Sequence, residues 1–208
     1  MPAPRRARRP DGEVRAALLT AAEHLLHRSA IADLTVGDLL REAGVSRASF
    51  YFYFASKHDV VIALAEEVIG KVEEAAAPWL KRSDLTPAEA LRAATRGSLE
   101  VWERHGPVLR AVAESWHSSP ELGDLWGGFV SRFVAAARDQ VAREREEGLA
   151  PPRGPDPAAL AAALIWMNER VFYLHASASE PALADGDTVV DVLVAIWLGA
   201  VYAEPAPT

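Results

Sequence analysis

The residues best equipped for chemistry lie in one short run. The stretch SRASFYFYFASK (46–57) sets five consecutive rings, Phe50 to Phe54, between Arg47 and Lys57. Serine and tyrosine hydroxyls donate to phosphate oxygens, and Arg and Lys supply charge. Small or apolar side chains meet thymine methyl groups in a DNA major groove. This is the chemistry of gripping a polyanion rather than of making bonds. The means for catalysis are thin. No cysteine is present, which removes thiol nucleophiles, disulfides and cysteine zinc sites. Among six histidines only His24 and His27 can share a helix face, and no carboxylate pattern joins them into a metal site. Phosphate-binding glycine loops, dinucleotide fingerprints and nucleophile elbows are absent from the sequence. No catalytic residue, metal or cofactor is expected.

Charge points to the same end of the chain. The net charge is −7, yet residues 1–57 hold nine Lys and Arg against six Asp and Glu, while 58–208 hold 13 against 23. A basic first quarter on an acidic chain suits a polyanionic partner for that quarter, although a solubilising surface would give the same balance. Arg5, Arg6, Arg8 and Arg9 form an arm that follows phosphates, enters a minor groove, or is only a basic tail. No apolar signal core follows the arm, and the longest apolar runs (158–167 and 193–203) fall short of the ~20 residues of a membrane span. A soluble, cytoplasmic protein with no membrane partner is expected.

Helical periodicity must position these residues. It predicts an all-α chain of about nine helices. Val14, Leu18, Ala22, Leu25 and Leu26 share one face of a helix over 11–28. Thr35 as N-cap, Asp38 three residues on and Gly44 just past the end bound a second helix over 36–43. Ser46 caps a third, which makes a helix-turn-helix. Ser56 starts a long helix ending near Pro78, and Thr86-Pro87 starts another. PVLRAVAESWHSS (107–119), a long stretch over 120–148, a helix over 157–176 and one over 187–203 complete the chain. The expected division is an N-terminal arm and helix-turn-helix module over 1–55, then a larger helical body over 56–208.

On a helix, Phe50 and Phe54 share a core face, Ala48 and Phe52 point the opposite way, and Ser49, Tyr53 and Tyr51 lie on the flanks. So short a helix cannot bury five rings. The outward ones meet either nucleic acid or the next domain.

LTVGDLLREAGVSRASFYFYFASKHDVV (34–61) resembles the DNA-binding signature of the tetracycline-repressor (TetR) family of bacterial regulators. The matching residues include Thr35, Ala43, Gly44, Val45, Ser46, Phe50, Tyr51, Tyr53, Phe54 and Lys57. The resemblance implies a homodimer on a palindromic double-stranded DNA operator, repressing nearby genes. It also implies release when a ligand in the body changes the spacing of the two recognition helices. By position it makes Thr35, Arg47, Ser49, Tyr51, Tyr53 and Lys57 DNA contacts, to which the outward geometry adds Ala48 and Phe52.

FYFYF (50–54), ELGDLW (121–126), and MNER (167–170) followed by AIW (195–197) resemble one branch of that family, whose ligand site is a long, narrow, mainly aromatic tunnel. The positions that match its lining are Leu91, Trp102, Trp126, Val130, Phe133, Asn168, Tyr173 and Trp197. Ile165 stands where that branch carries a second asparagine, Phe133 where the ring is larger, and Leu91 where an aromatic is expected. The implied effector is a hydrophobic or amphiphilic small molecule.

The residues themselves support a body of this kind. All six tryptophans lie beyond the helix-turn-helix. Asn168, set among Ile165, Trp166, Phe172 and Tyr173, needs a hydrogen-bond partner, either a ligand carbonyl or a core group. The last two helices are apolar almost all round, with Val189, Val190, Leu193, Ile196, Trp197 and Val201 in the final one. They must be covered within the subunit or by a partner subunit. Two other readings stay open: a DNA-binding regulator with no working ligand switch, and a helical small-molecule carrier or enzyme.

Overall fold

The structure, a computed structural model, describes residues 11–81, 84–117 and 119–203. The arginine arm expected to approach DNA lies outside them. Eight α-helices and one 3-10 turn, Pro181–Leu183, account for the architecture, with no strand among the described residues. The chain forms two compact units, Met1–Glu66 and Glu67–Thr208.

In the first unit, α1 (Asp11–Leu26) buries the five apolar residues its spacing aligns, with Leu18 and Ala22 fully enclosed. α2 (Val36–Ala43) packs on α1. Its start is fixed by a reciprocal cap: Asp38 N donates to Thr35 Oγ1 at 3.1 Å, and Thr35 N donates to Asp38 Oδ2 at 3.2 Å. Its end is fixed by Gly44 at φ 64°, ψ 36°, a left-handed geometry that side chains with a Cβ rarely adopt. α3 (Arg47–Tyr53) begins where Ser46 Oγ accepts from Ser49 N at 3.0 Å and stops where Phe54 turns extended. α4 (Lys57–Leu80) starts in this unit under a Ser56–Asp59 cap and continues as the covalent link into the second.

The second unit adds α5 (Pro87–Ser115), α6 (Pro120–Glu146), α7 (Pro157–Ala176) and α8 (Gly186–Val201). α6 packs along α7 and α5 along α8, around a core that includes Trp79, Leu91, Ala137, Val141, Leu164 and Trp197. One expectation changes here. The break expected between HG and PVLR is a bend inside one helix: His105 sits at φ −118°, ψ 18° within α5, two residues before Pro107. Proline lacks the N–H of a helical hydrogen bond and its ring crowds the carbonyl four residues back, so the helix kinks and then resumes. α4 ends at Leu80, near Pro78 as its sequence predicts. No helix among the described residues is long and apolar enough to cross a membrane.

Candidate functional site

Two sites emerge, one in each unit. The first is the outer face of α3. Arg47, Ala48, Tyr51 and Phe52 are exposed there, Phe52 at 74% and Tyr51 at 52%, while Phe50 and Phe54 are buried beneath them. The rings brace one another. Tyr51 stands edge-on to Phe50 with centroids 5.2 Å apart, and Tyr53, half-buried, stands edge-on to Phe52 at 4.9 Å. Ser49 is held to the cap, its hydroxyl 2.8 Å from that of Ser46. Thr35 is exposed and carries the α2 cap.

Lys57 has another occupation. Its ammonium donates to the carbonyls of Ile31 at 2.9 Å, Ala32 at 3.0 Å and Leu34 at 2.6 Å. All three N–H groups of a lysine are thereby engaged with backbone. The residue clamps the α1–α2 turn against the start of α4, a role its spacing in the signature does not reveal.

The second site is a cavity in the body of about 690 Å³, its mouth included. It is walled by α4 (Val72, Ala76, Trp79, Leu80), α5 (Leu91, Ala94, Thr95, Ser98, Trp102), α6 (Phe129, Val130, Phe133), α7 (Ile165, Asn168, Glu169, Phe172) and Trp197 of α8. Each wall follows helical spacing; on α7 the four residues fall at i, i+3, i+4 and i+7. The aromatic rings fix one another's tilt. Trp79 and Trp197 meet edge-on at 4.8 Å, and Trp102 lies 6.3 Å from Phe172. Trp79 is anchored at its far side, its indole N–H donating to Tyr202 Oη at 2.8 Å. Burial, with Glu144 alongside, pushes the Tyr202 phenol well above its usual range, so it stays a neutral hydroxyl.

Six of the eight expected lining residues meet at this cavity: Leu91, Trp102, Val130, Phe133, Asn168 and Trp197. Trp126 and Tyr173 stand outside it. Trp126 is 1% exposed and sits behind the wall, its ring 6.4 Å from Trp102 and 5.2 Å from Phe129. Tyr173, one residue round α7 from the cavity stripe, donates to Glu114 Oε1 at 2.7 Å, with the Arg170 guanidinium 4.8 Å from its ring centroid. That hydrogen bond to a carboxylate raises the phenol's pKa. Trp79, Phe129, Phe172, Thr95, Ser98 and Glu169 were not anticipated; the period of α7 alone would have found Glu169 and Phe172. The Asn168 amide has a core partner: its Oδ1 accepts from Trp197 Nε1 at 3.0 Å. Its NH2 group is the donor pair left for a ligand acceptor.

A capped helix-turn-helix with rings held outward, joined to a hollow helical body, defines a DNA-binding transcriptional regulator. Comparison with known proteins gives the particular family. The model for "Bacterial regulatory proteins, tetR family" matches residues 18–64, and that for "Transcriptional regulator EthR, C-terminal domain" matches residues 91–203. The chain belongs to the TetR family of bacterial transcriptional regulators, in its EthR branch, the branch of the mycobacterial ethionamide-resistance repressor that the motifs of the body indicate. It is 34% identical over 202 residues to the HTH-type transcriptional regulator EthR of Mycolicibacterium smegmatis, covering 97% of this chain and 92% of that one. It is also 34% identical over 206 residues to EthR of Mycobacterium tuberculosis, covering 98% and 94%. A crystal structure of a TetR-family transcriptional regulator from Syntrophomonas wolfei superimposes with a TM-score of 0.77 at 14% identity, covering 96% of this chain and all of that one. At that identity the likeness speaks for the fold alone. Members of this family are regulators of transcription and not enzymes.

Proposed function

We propose that the chain is a ligand-responsive repressor that binds a palindromic operator as a homodimer and is released by a hydrophobic or amphiphilic small molecule. Residues 1–55 serve as the DNA-binding part and 56–208 as the ligand-binding and dimerisation part. The observation that carries the reading is the exposure of Phe52, 74% on a helix whose opposite face is fully packed. A large ring left in water beside Arg47, Ala48 and Tyr51 suits the major groove, where Ala48 and Phe52 meet thymine methyls. Arg47, Thr35, Ser49, Tyr51 and Tyr53 then serve the backbone phosphates and base edges. Lys57 contributes by closing the α1–α2 turn that precedes the helix-turn-helix.

The homodimer is supported by apolar side chains left uncovered on the last two helices. Trp166 of α7 is 40% exposed, and Val192 and Ile196 of α8 are 44% and 41% exposed. A two-fold pairing through this face matches an inverted-repeat operator. The switch is supported by α4, which starts beside α3 and whose later residues Val72, Ala76 and Trp79 wall the cavity. Selection of sites from random duplex DNA at physiological salt tests the DNA reading, because nonspecific phosphate binding is weak there. An inverted repeat is expected. Arg47→Ala with Tyr51→Ala should lower affinity for it by roughly a hundredfold while the circular dichroism spectrum stays unchanged. Undiminished binding by that variant would remove α3 as the reading element.

A further inference from the structure

The cavity wall contains one group that the aromatic-tunnel reading does not use. Glu169 is 7% exposed, lines the cavity, and its Oε1 has no hydrogen-bond partner among the described residues. Its other oxygen lies 3.9 Å from Arg170 Nε, at the limit of an ion pair, and the Arg170 side chain is 59% exposed. The other polar residues of the lining are Thr95, Ser98 and Asn168, all uncharged. Trp79, Trp102, Phe129, Phe172 and Trp197 surround them with apolar surface.

We infer that Glu169 is the specificity-determining acceptor of the cavity, and that it selects effectors carrying an amine on an apolar chain or ring system over equally apolar alcohols and carboxylic acids. This rests on the cavity being the effector site. An ammonium would give Oε1 a donor and also supply the countercharge that Arg170 provides only from outside. A hydroxyl would give the donor without the charge. A fatty carboxylate would place a second negative charge beside the first, in surroundings too apolar to screen it. Burial holds the Glu169 carboxyl above its usual range, the state of an acid lacking close compensation. A bound ammonium would reverse that by favouring the ionised form. The aromatic walls add to the preference, since ring faces attract cations and do not attract carboxylates.

The test is isothermal titration calorimetry of the full-length dimer near neutral pH with three ligands of one chain length: n-decylamine, n-decanol and n-decanoate. The amine is expected to bind about ten- to a hundredfold tighter than the alcohol, the range of a charge-assisted hydrogen bond, with the decanoate weakest. Glu169→Gln should bring amine and alcohol to within about threefold of each other. Equal affinities in the wild type, a decanoate that binds tightest, or a preference that survives in Glu169→Gln would overturn the assignment while leaving the cavity a ligand site. Binding of none of the three would overturn the cavity reading itself, and the assignment with it. The wild-type series alone can overturn the assignment even if the variant fails to fold.

Discussion

The outer face of α3 and the cavity of the second unit use aromatic rings in opposite ways. α3 has seven residues and one buried ring, Phe50, with Tyr51 and Phe52 held in water. The body surrounds empty space with rings that are themselves buried, such as Trp102 and Trp197 at 2% exposure. Exposed rings are held at a cost in hydration, so they imply a partner that comes to the protein. Enclosed rings that fail to fill the space between them imply a partner that goes in. The polar groups divide the same way. At α3, hydroxyls and Arg47 stand in solvent, where charge is inexpensive. In the cavity, one carboxyl is kept from solvent, where it is expensive and therefore selective.

The contrast can be broken most severely at Phe50. Phe50→Ala should destabilise the first unit by about 3–5 kcal/mol, whereas Phe52→Ala should alter stability by no more than about 0.5 kcal/mol while weakening DNA binding. Urea unfolding of both variants checks this, and a large loss from Phe52→Ala would mean that its ring packs instead of reading. Next in size is Lys57→Met, which leaves three carbonyls without their shared donor. A loss of about 2–3 kcal/mol in the same unfolding experiment is expected, with the cavity's ligand affinity unchanged.

The smallest effect sharpens the cavity side. The ordinary carboxyl value of Glu169, 4.5, is raised by burial in the folded chain. As pH rises through 4.5, the unfolded chain releases this proton and the folded chain keeps it, so Glu169 lowers stability progressively up to its folded-state value. Glu169→Gln should therefore be more stable than the wild type near neutral pH, by about 1 kcal/mol, and the gain should vanish below pH 4.5. Thermal melts at several pH values measure it; a constant difference at all pH values would mean that Glu169 does not titrate in a buried site.

What was legible in the sequence was local chemistry. Thr35 with Asp38, Gly44 and Ser46 place the ends of α2 and the start of α3 because a cap is made by residues three or four apart. The outward set of α3 follows from 100° steps over seven residues. The bend at His105 was not legible, since a proline after glycine reads as a stop and only tertiary packing lets the helix continue past it. In the cavity, Trp126 shares a helical stripe with Val130 and Phe133, but the stripe cannot reveal that Trp102 and Phe129 stand in front of it. Glu169 hid behind its own charge: in an apolar helix it looks like a surface residue, although its spacing from Ile165 and Phe172 puts it on the inner face.

The clamp made by Lys57 also sets an order of events during synthesis. The lysine lies 23 to 26 residues downstream of the three carbonyls it closes. Those carbonyls leave the ribosome first and stay unclosed until the next helix has begun to emerge. A fragment that ends at residue 55 lacks the lysine altogether, while one that ends at 66 contains it. The unit that reads DNA is thus completed by the first residue of α4, the helix that goes on to wall the cavity. A chain interrupted before that helix lacks the donor that closes the Ile31, Ala32 and Leu34 carbonyls.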